Sequence, residues 1–361
     1  MIEVSLPARI NVVGSPTDAV EGAYATLSAA VDLRGGARTS RAGEIIFRRS
    51  DGASRTYPRG QVLEPRGFDV EEAALNALRR HSPQLAAKLS GEGVEISTWT
   101  NVPGSSGLAG SSVLLLAVLA ALRAHYDLDP IALNNYVLAE IAQRAEERDM
   151  GVVCGFADRY APLFGDLAYL SYHGKLWHAP LGEEPFVTYE KLGDYCPPLT
   201  FCIATTGVQR NSGSVHAPMR ERYLRERRAG SGDLLPLARQ IGETAWRGKI
   251  ALLAGDLPEF GRQIDRNQEL VDEMMRQCGF AAGAGREVGI LVQAARSAGA
   301  LGAKLTGAGG GGAVFALPPP GKQEGIAAAL QRAAQAAGMI DSEVFVVPVS
   351  RDGLRVARRD G

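Results

Sequence analysis

Asn101-Val-Pro-Gly-Ser-Ser-Gly-Leu-Ala-Gly-Ser-Ser112 is the stretch on which the reading of this chain turns. It stands between two contrasting segments. Upstream, Val94-Glu-Ile-Ser-Thr-Trp-Thr100 alternates Val94, Ile96 and Thr98 against Glu95, Ser97 and Trp99, the period-two pattern of a half-buried strand. Downstream, Ser111 to about Ala124 is continuously apolar and rich in Leu and Ala, which suits a helix buried on most sides. A loop of small residues at such a junction lets backbone N–H groups point into one concavity, to which the helix adds the positive end of its dipole. Together they hold phosphate oxygens without any net basic charge. The hydroxyls of Ser111 and Ser112 could donate to phosphate or ligate Mg²⁺. The stretch has no Gly-Lys-Ser/Thr ending and does not follow a first strand as GxGxxG. A flexible surface loop with a serine N-cap is the other reading of the same composition.

Two further glycine clusters stand out among the 43 glycines. Lys304-Leu-Thr-Gly-Ala-Gly-Gly-Gly-Gly312 runs into the β-type segment Ala313–Leu317. Four successive glycines are costly in backbone entropy, so either a ligand or another loop must approach that backbone. Gly151-Val-Val-Cys-Gly-Phe-Ala-Asp-Arg-Tyr160 places Asp158 just past a glycine turn, as a helix cap or as an acid kept for chemistry.

At 361 residues the chain exceeds the ~100–200 of one domain, so two lobes or one large domain are expected. Hydrophobic residues at 45% and charged residues at 22% exclude a disordered, collagen-like or coiled-coil chain. Lys+Arg 39 against Asp+Glu 40 argues against nucleic acid as a partner, while leaving room for a local anion site. The four cysteines show no CxxC spacing and the five histidines no zinc pattern, as expected of reduced thiols in a cytoplasmic protein. Met1–Ile10 lacks the features of a signal peptide, and the apolar run Val113–Leu122 falls short of the ~20 residues that span a bilayer, so no membrane is expected.

The first ~110 residues read as strands and turns, including the short β-type run Ile10–Val13. Pro130 is placed to open a helix carrying Ile131, Leu133, Val137, Leu138, Ile141, Ala142 and Ala145, which ends in Glu146–Asp149. Strands are expected at 167–172, 199–205, 312–317 and 343–349, and helices at 216–229, 234–254, 257–277, 284–298 and 322–337. The proline-rich segment 183–198 marks the expected lobe boundary. Strands and helices mix without a βαβ period, so the fold class is α+β.

Pro7-Ala-Arg-Ile-Asn-Val-Val-Gly-Ser-Pro-Thr-Asp18, Pro103–Ser112 and Lys304–Gly312 resemble, in order and spacing, the three motifs of the GHMP kinases, named for galactokinase, homoserine kinase, mevalonate kinase and phosphomevalonate kinase. The resemblance implies an N-terminal lobe with a ribosomal-protein-like left-handed β-α-β unit at 1–185 and a ferredoxin-like C-terminal lobe at 186–361. ATP and Mg²⁺ would lie between them, in a monomer or homodimer. It implies that Pro103, Gly104, Ser105, Ser106, Gly107, Leu108, Ala109, Gly110, Ser111 and Ser112 hold the α- and β-phosphates. Thr306, Gly307, Gly309 and Gly310 would cover the γ-phosphate, and Ser112 with Glu146 would ligate the metal. Arg9 and Asp158, the latter in the turn Cys154-Gly-Phe-Ala-Asp158, take the catalytic roles; Asp18, Ser15, Cys154 and Gly155 face the sugar.

Within the superfamily the chain is most similar to glucuronokinases, in Ala8-Arg9-Ile…Gly14-Ser-Pro-Thr-Asp18, in the order Gly107-Leu-Ala-Gly-Ser-Ser112, in Asp158-Arg159 and in Val215–Arg222. The Glu-His pair of galactokinases is replaced by Ser15-Pro16, which speaks against galactose. Thr206-Gly-Val-Gln-Arg210 resembles instead the heptose 7-phosphate 1-kinases. Both groups phosphorylate an anomeric hydroxyl. For a uronate carboxylate the candidates are Arg159, Arg210 and Arg222, each of which could equally be an ordinary arginine. His216 is a weaker candidate, and Tyr24 either packs on the sugar or sits in the core. A catalytically silent sugar-sensing paralogue and a decarboxylase of the mevalonate branch are the rival readings.

Overall fold

A computed structural model describes residues 1–22, 24–64, 69–175, 180–208 and 213–359. The chain opens with β1 (Ile2–Val13), a single tight helical turn at Thr17–Ala19, and the long strand β2 (Ala25–Ala42). Then come β3 (Ile45–Arg48), β4 (Ser54–Tyr57), α1 (Asp69–His81), α2 (Pro83–Gly91) and β5 (Gly93–Thr100). Next are α3 (Gly110–His125), α4 (Asn135–Arg144), α5 (Ala157–Phe164), β6 (Leu167–Ser171) and β7 (Thr188–Lys191). The second half contains β8 (Thr200–Thr205), α6 (Gly213–Ala229), α7 (Leu234–Leu253), α8 (Leu257–Gln277) and α9 (Arg286–Ser297). It closes with β9 (Gly302–Thr306), β10 (Ala313–Leu317), α10 (Gln323–Ala336), β11 (Val344–Pro348) and β12 (Arg355–Arg358).

Two sheets organise these elements. The first runs β12-β1-β2-β5-β3-β4, with β6 on β2 and β7 on β6. β2 is long enough to serve two partners: Ala25–Ala29 pair with β6 and Gly35–Ala42 pair with β5. The second is antiparallel, in the order β11-β8-β10-β9. Numbered from β8 as first, that order is 4-1-3-2 in a β-α-β-β-α-β connection, the ferredoxin-like arrangement. The fold is thus α+β. Strand β7, beyond the expected boundary at 185, still extends the first sheet, and β12 returns from the far end of the chain to β1. The first sheet therefore draws on both sides of that boundary.

Several expectations need correction. The first ~110 residues contain two helices as well as strands. Pro130 does not open a helix; Ile131 is 82% exposed, and α4 begins at Asn135 because the Asn134 side chain accepts from the amides of Tyr136 and Val137. No serine caps α3: it follows Ala109, which sits in the left-handed region at φ 67°, and Gly110 begins the helix. A strand absent from the expected set, the fully buried β9, leads into the four glycines. No helix among the described residues is long and apolar enough to cross a membrane.

The cores place the cleft. α3, apolar on nearly every face, packs against β2, β1 and α1. Helices α6–α10 cover one face of the second sheet, and β1, β2, α7, α8 and β10 share a third cluster between the lobes. The loops at the ends of β1, β5 and β9 consequently converge where the lobes meet.

Candidate active site

A cleft of about 430 Å³ opens at that junction, and residues from all three glycine clusters line it. The clusters do not merely approach one another. A Cβ built on Gly107 would lie 2.7 Å from the Thr306 carbonyl, and one on Gly307 would lie 2.8 Å from the Gly107 Cα. Both residues have positive φ. The second glycine run is thus answered by another loop at Gly107, while Ala308 and Gly309 line the cleft. The amides of Gly104, Ser105, Ser106 and Gly107 donate to no acceptor among the described residues, so they are free for an anion.

Not every residue of the expected phosphate cradle faces it. Pro103, Gly104, Ser105, Ser106, Gly107, Ala109, Gly110, Ser111, Ser112, Thr306, Gly307 and Gly309 line the cleft. Leu108 turns its side chain into the inter-lobe core, and its carbonyl accepts from the Arg9 amide at 3.2 Å. Gly310 spends its amide on the Ala284 carbonyl at 2.6 Å, so that N–H is not available to a γ-phosphate.

Glu146 lies on a π-turn, Ala145–Asp149, that continues α4; the Met150 amide reaches back five residues to Ala145. This wider turn swings Glu146 toward the start of α3, where it accepts from Ser112 Oγ (2.8 Å) and Ser111 Oγ (3.4 Å). One carboxylate and one hydroxyl beside free amides match the hard oxygen donors that Mg²⁺ takes when substrate phosphates complete its shell. Among the described residues no cluster of three His, Cys, Asp or Glu stands ready to hold a metal unaided. Arg159 sits behind Glu146 rather than on a substrate: it is fully buried, its Nη2 pairs with Glu146, and its Nη1 donates to the Gly155 carbonyl at 2.6 Å. Burial lowers its pKa to about 9.

Asp158 occupies the first turn of α5, where the helix dipole favours an anion. Its Oδ1 accepts from Arg9 Nε (2.7 Å) and Nη2 (2.5 Å), and from Asn11 Nδ2 at 3.5 Å. Arg9 Nη1 donates to the Gly107 carbonyl at 2.6 Å, which ties the Arg9–Asp158 pair to the first glycine loop. Oδ2 takes no bond from any described residue, and the side chain keeps 23% exposure toward the cleft.

Asp18 sits beside this pair and accepts from the Ala157 amide at 3.1 Å. A Cβ on Gly155 would lie 2.0 Å from Asp18 Oδ2, so glycine at 155 is what lets Asp18 reach its place. Burial, and the nearby Asp158 charge, raise its pKa. Ser15, Cys154 and His216 also border the cleft. Burial depresses the His216 pKa to about 4, so the ring is neutral near pH 7.

Two more sugar-side expectations fall elsewhere. Tyr24 joins its hydroxyl to that of Tyr223 at 2.7 Å and packs with the second-lobe core. Arg222 is occupied by Glu226 and the Gln277 carbonyl. Arg210 lies outside the described residues. The sequence reading also passed over Asn11, whose one visible signal was a polar residue inside the apolar run 10–13. It passed over Arg220 too, which bonds the carbonyls of Ala19 (2.8 Å) and Cys154 (2.7 Å) and so fixes the two turns that carry Asp18 and Asp158.

The GHMP kinases N terminal domain matches residues 70–166, and the GHMP kinases C terminal domain matches 249–336. The chain belongs to the GHMP kinases. A mevalonate kinase of Pyrococcus horikoshii is 28% identical to this GHMP kinase over 285 residues, 77% of this chain and 73% of that one. Probable glucuronokinase 2 of Arabidopsis thaliana is 27% identical over 292 residues, 78% and 72% of the two chains. In fold, the galactokinase of Lactococcus lactis complexed with galactose aligns with TM-score 0.77 at 19% identity, over 98% of this GHMP kinase and 95% of that chain.

Proposed function

We propose that this GHMP kinase transfers the γ-phosphoryl group of ATP to the anomeric hydroxyl of a sugar acid, D-glucuronate above all, giving the 1-phosphate. The observation that carries the reading is Asp158: one carboxylate oxygen is locked by Arg9 while the other is left open to a cleft walled by free amides. Phosphoryl transfer needs alignment and charge neutralisation more than covalent chemistry. Amides of the 104–107 loop hold the phosphates. Ser112 and Glu146 would hold Mg²⁺, which when bound neutralises the β- and γ-phosphate oxygens.

Asp158 Oδ2 accepts the proton of the acceptor hydroxyl as its oxygen bonds to the γ-phosphorus and the bond to the ADP oxygen breaks. An anomeric hydroxyl is more acidic than an ordinary alcohol, so a carboxylate suffices. Arg9 fixes the orientation of Asp158 and adds positive charge beside the transferring group. Asp18 and the neutral His216 border the ring. The choice of glucuronate rests on the glucuronokinase likeness at 27% identity and on Ser15-Pro16 in the first motif.

The 28% identity to a mevalonate kinase favours a second reading, with mevalonate as the acceptor. ADP release across D-glucuronate, D-galacturonate, galactose, heptose 7-phosphate and mevalonate separates the two. The proposal expects the highest kcat/KM on glucuronate, and a preference for mevalonate overturns it. Absence of ADP release with every acceptor would point to a silent sensor instead.

A further inference from the structure

A small pocket adjoining the cleft holds a cation that the mechanism above leaves unused. Lys304, on β9, is fully buried, and its Nζ donates to Ser15 Oγ (3.2 Å) and to the Leu305 carbonyl (3.0 Å). No carboxylate among the described residues lies within ion-pair distance of it. An ammonium shut away from water without a counter-ion is a strong cost to a fold, and is retained where a ligand supplies the missing charge. Burial, with Arg9 nearby, draws its pKa down to about 7. The other groups that face it are Asp18, Asp272 on α8, His216 on α6 and the Cys278 thiol.

The bond to Ser15 sets the polarity of the cleft wall. Because Nζ donates to Oγ, the Ser15 hydroxyl must direct its own proton elsewhere, and Ser15 borders both the pocket around Lys304 and the cleft. It therefore offers a donor backed by a buried cation, which suits an anionic oxygen better than a sugar hydroxyl. Of the arginines expected to do this, Arg159 is taken up by Glu146 and Arg222 by Glu226.

We propose that Ser15, backed by Lys304, is the contact for the acid group of the acceptor, with Lys304 a positioning residue that acts through the serine. This rests on the reading that the acceptor is an acid, and it deepens that reading by assigning the group that selects acids over neutral sugars.

Calorimetry with D-glucuronate and D-glucuronamide, which differ only at the acid group, tests it on the full chain without nucleotide. The wild-type protein should bind the acid at least about tenfold more tightly than the amide. Lys304→Met, which keeps the side-chain length, should weaken glucuronate binding about 10- to 100-fold and move glucuronamide by less than about threefold. Ser15→Ala should reproduce that split. In the wild type, glucuronate affinity should fall as pH rises through about 7, and in Lys304→Met it should not. Equal binding of acid and amide by the wild type, no binding of either, or equal weakening of both by Lys304→Met overturns the assignment. If glucuronate binds with the stated preference yet is not phosphorylated, the function reading fails while the acid site stands. If only neutral sugars bind and react, the acid site fails while the kinase stands.

Discussion

Replacing Asp158 by Asn separates chemistry from architecture. In the native site every hydrogen bond that Asp158 accepts from Arg9 and Asn11 falls on Oδ1. The amide oxygen of Asn can keep them, and the amide nitrogen takes the position of Oδ2 at the cleft. What disappears is the proton acceptor and the negative charge opposite Arg9. A hydrogen bond to a charged group is worth ~1.5–3 kcal/mol and a neutral one ~1, so Asp158→Asn should cost about 1–2 kcal/mol of stability. A positioned general base contributes ~10²–10⁴ in rate. At ~1.36 kcal/mol per decade the barrier rises by about 3–5 kcal/mol. ADP-coupled initial rates at saturating ATP and acceptor should therefore show kcat reduced ~100- to 10,000-fold. ATP affinity by calorimetry should change by less than about threefold, since the free amides of the 104–107 loop are untouched. Asp158→Ala should lose similar activity but more stability, because it also releases Arg9. A kcat for Asp158→Asn within tenfold of the wild type would refute the assignment of Oδ2 as the acceptor.

Gly155→Ala places a methyl 2.0 Å from Asp18 Oδ2, and should cost ~1–3 kcal/mol in urea denaturation and raise the acceptor KM while leaving the ATP KM unchanged; unchanged acceptor kinetics would remove Asp18 from the sugar site. Glu146→Gln strips the fully buried Arg159 of its carboxylate, so a loss of ~3–5 kcal/mol and a higher Mg²⁺ requirement are expected, read from denaturant melts and Mg²⁺ titration of the rate; a native melting curve would contradict the pairing. Lys304→Met should raise stability near pH 7 and flatten its pH dependence. An unfolded lysine holds its proton up to about 10.5 whereas the folded one sheds it above about 7. Folding between those values releases a proton, and the wild type therefore gains stability as pH rises from 7 to 10. The variant removes a penalty on the order of 4 kcal/mol at pH 7, and melting curves that rise with pH equally in both proteins would contradict it.

The glycine-rich motifs were legible because their composition has few uses: small residues between a strand and a buried helix leave amides exposed. The second-half helices were legible because apolar spacing is local. Helix α1 was hidden, since its buried face carries Glu71 and Glu72, bonded to Thr98 (2.8 Å) and to Arg55 and Tyr57, which blurs the contrast between its faces. β2 was hidden too, because its Ala-rich first part, Ala25–Val31, is buried at every position and does not alternate.

By itself, then, the sequence determined the family, the fold class and the local shape of each ligand-holding loop, because these follow from residue types and spacings along a short run of chain. Which arginine pairs with Glu146, which amide is already taken and which cation stands without a carboxylate were decided only when β1, β9 and the Cys154–Asp158 turn met between the lobes. Charge and hydrogen-bond capacity are spent on neighbours in space, and for Arg9 and Lys304 those neighbours, Asp158 and Ser15, stand 149 and 289 positions away along the chain.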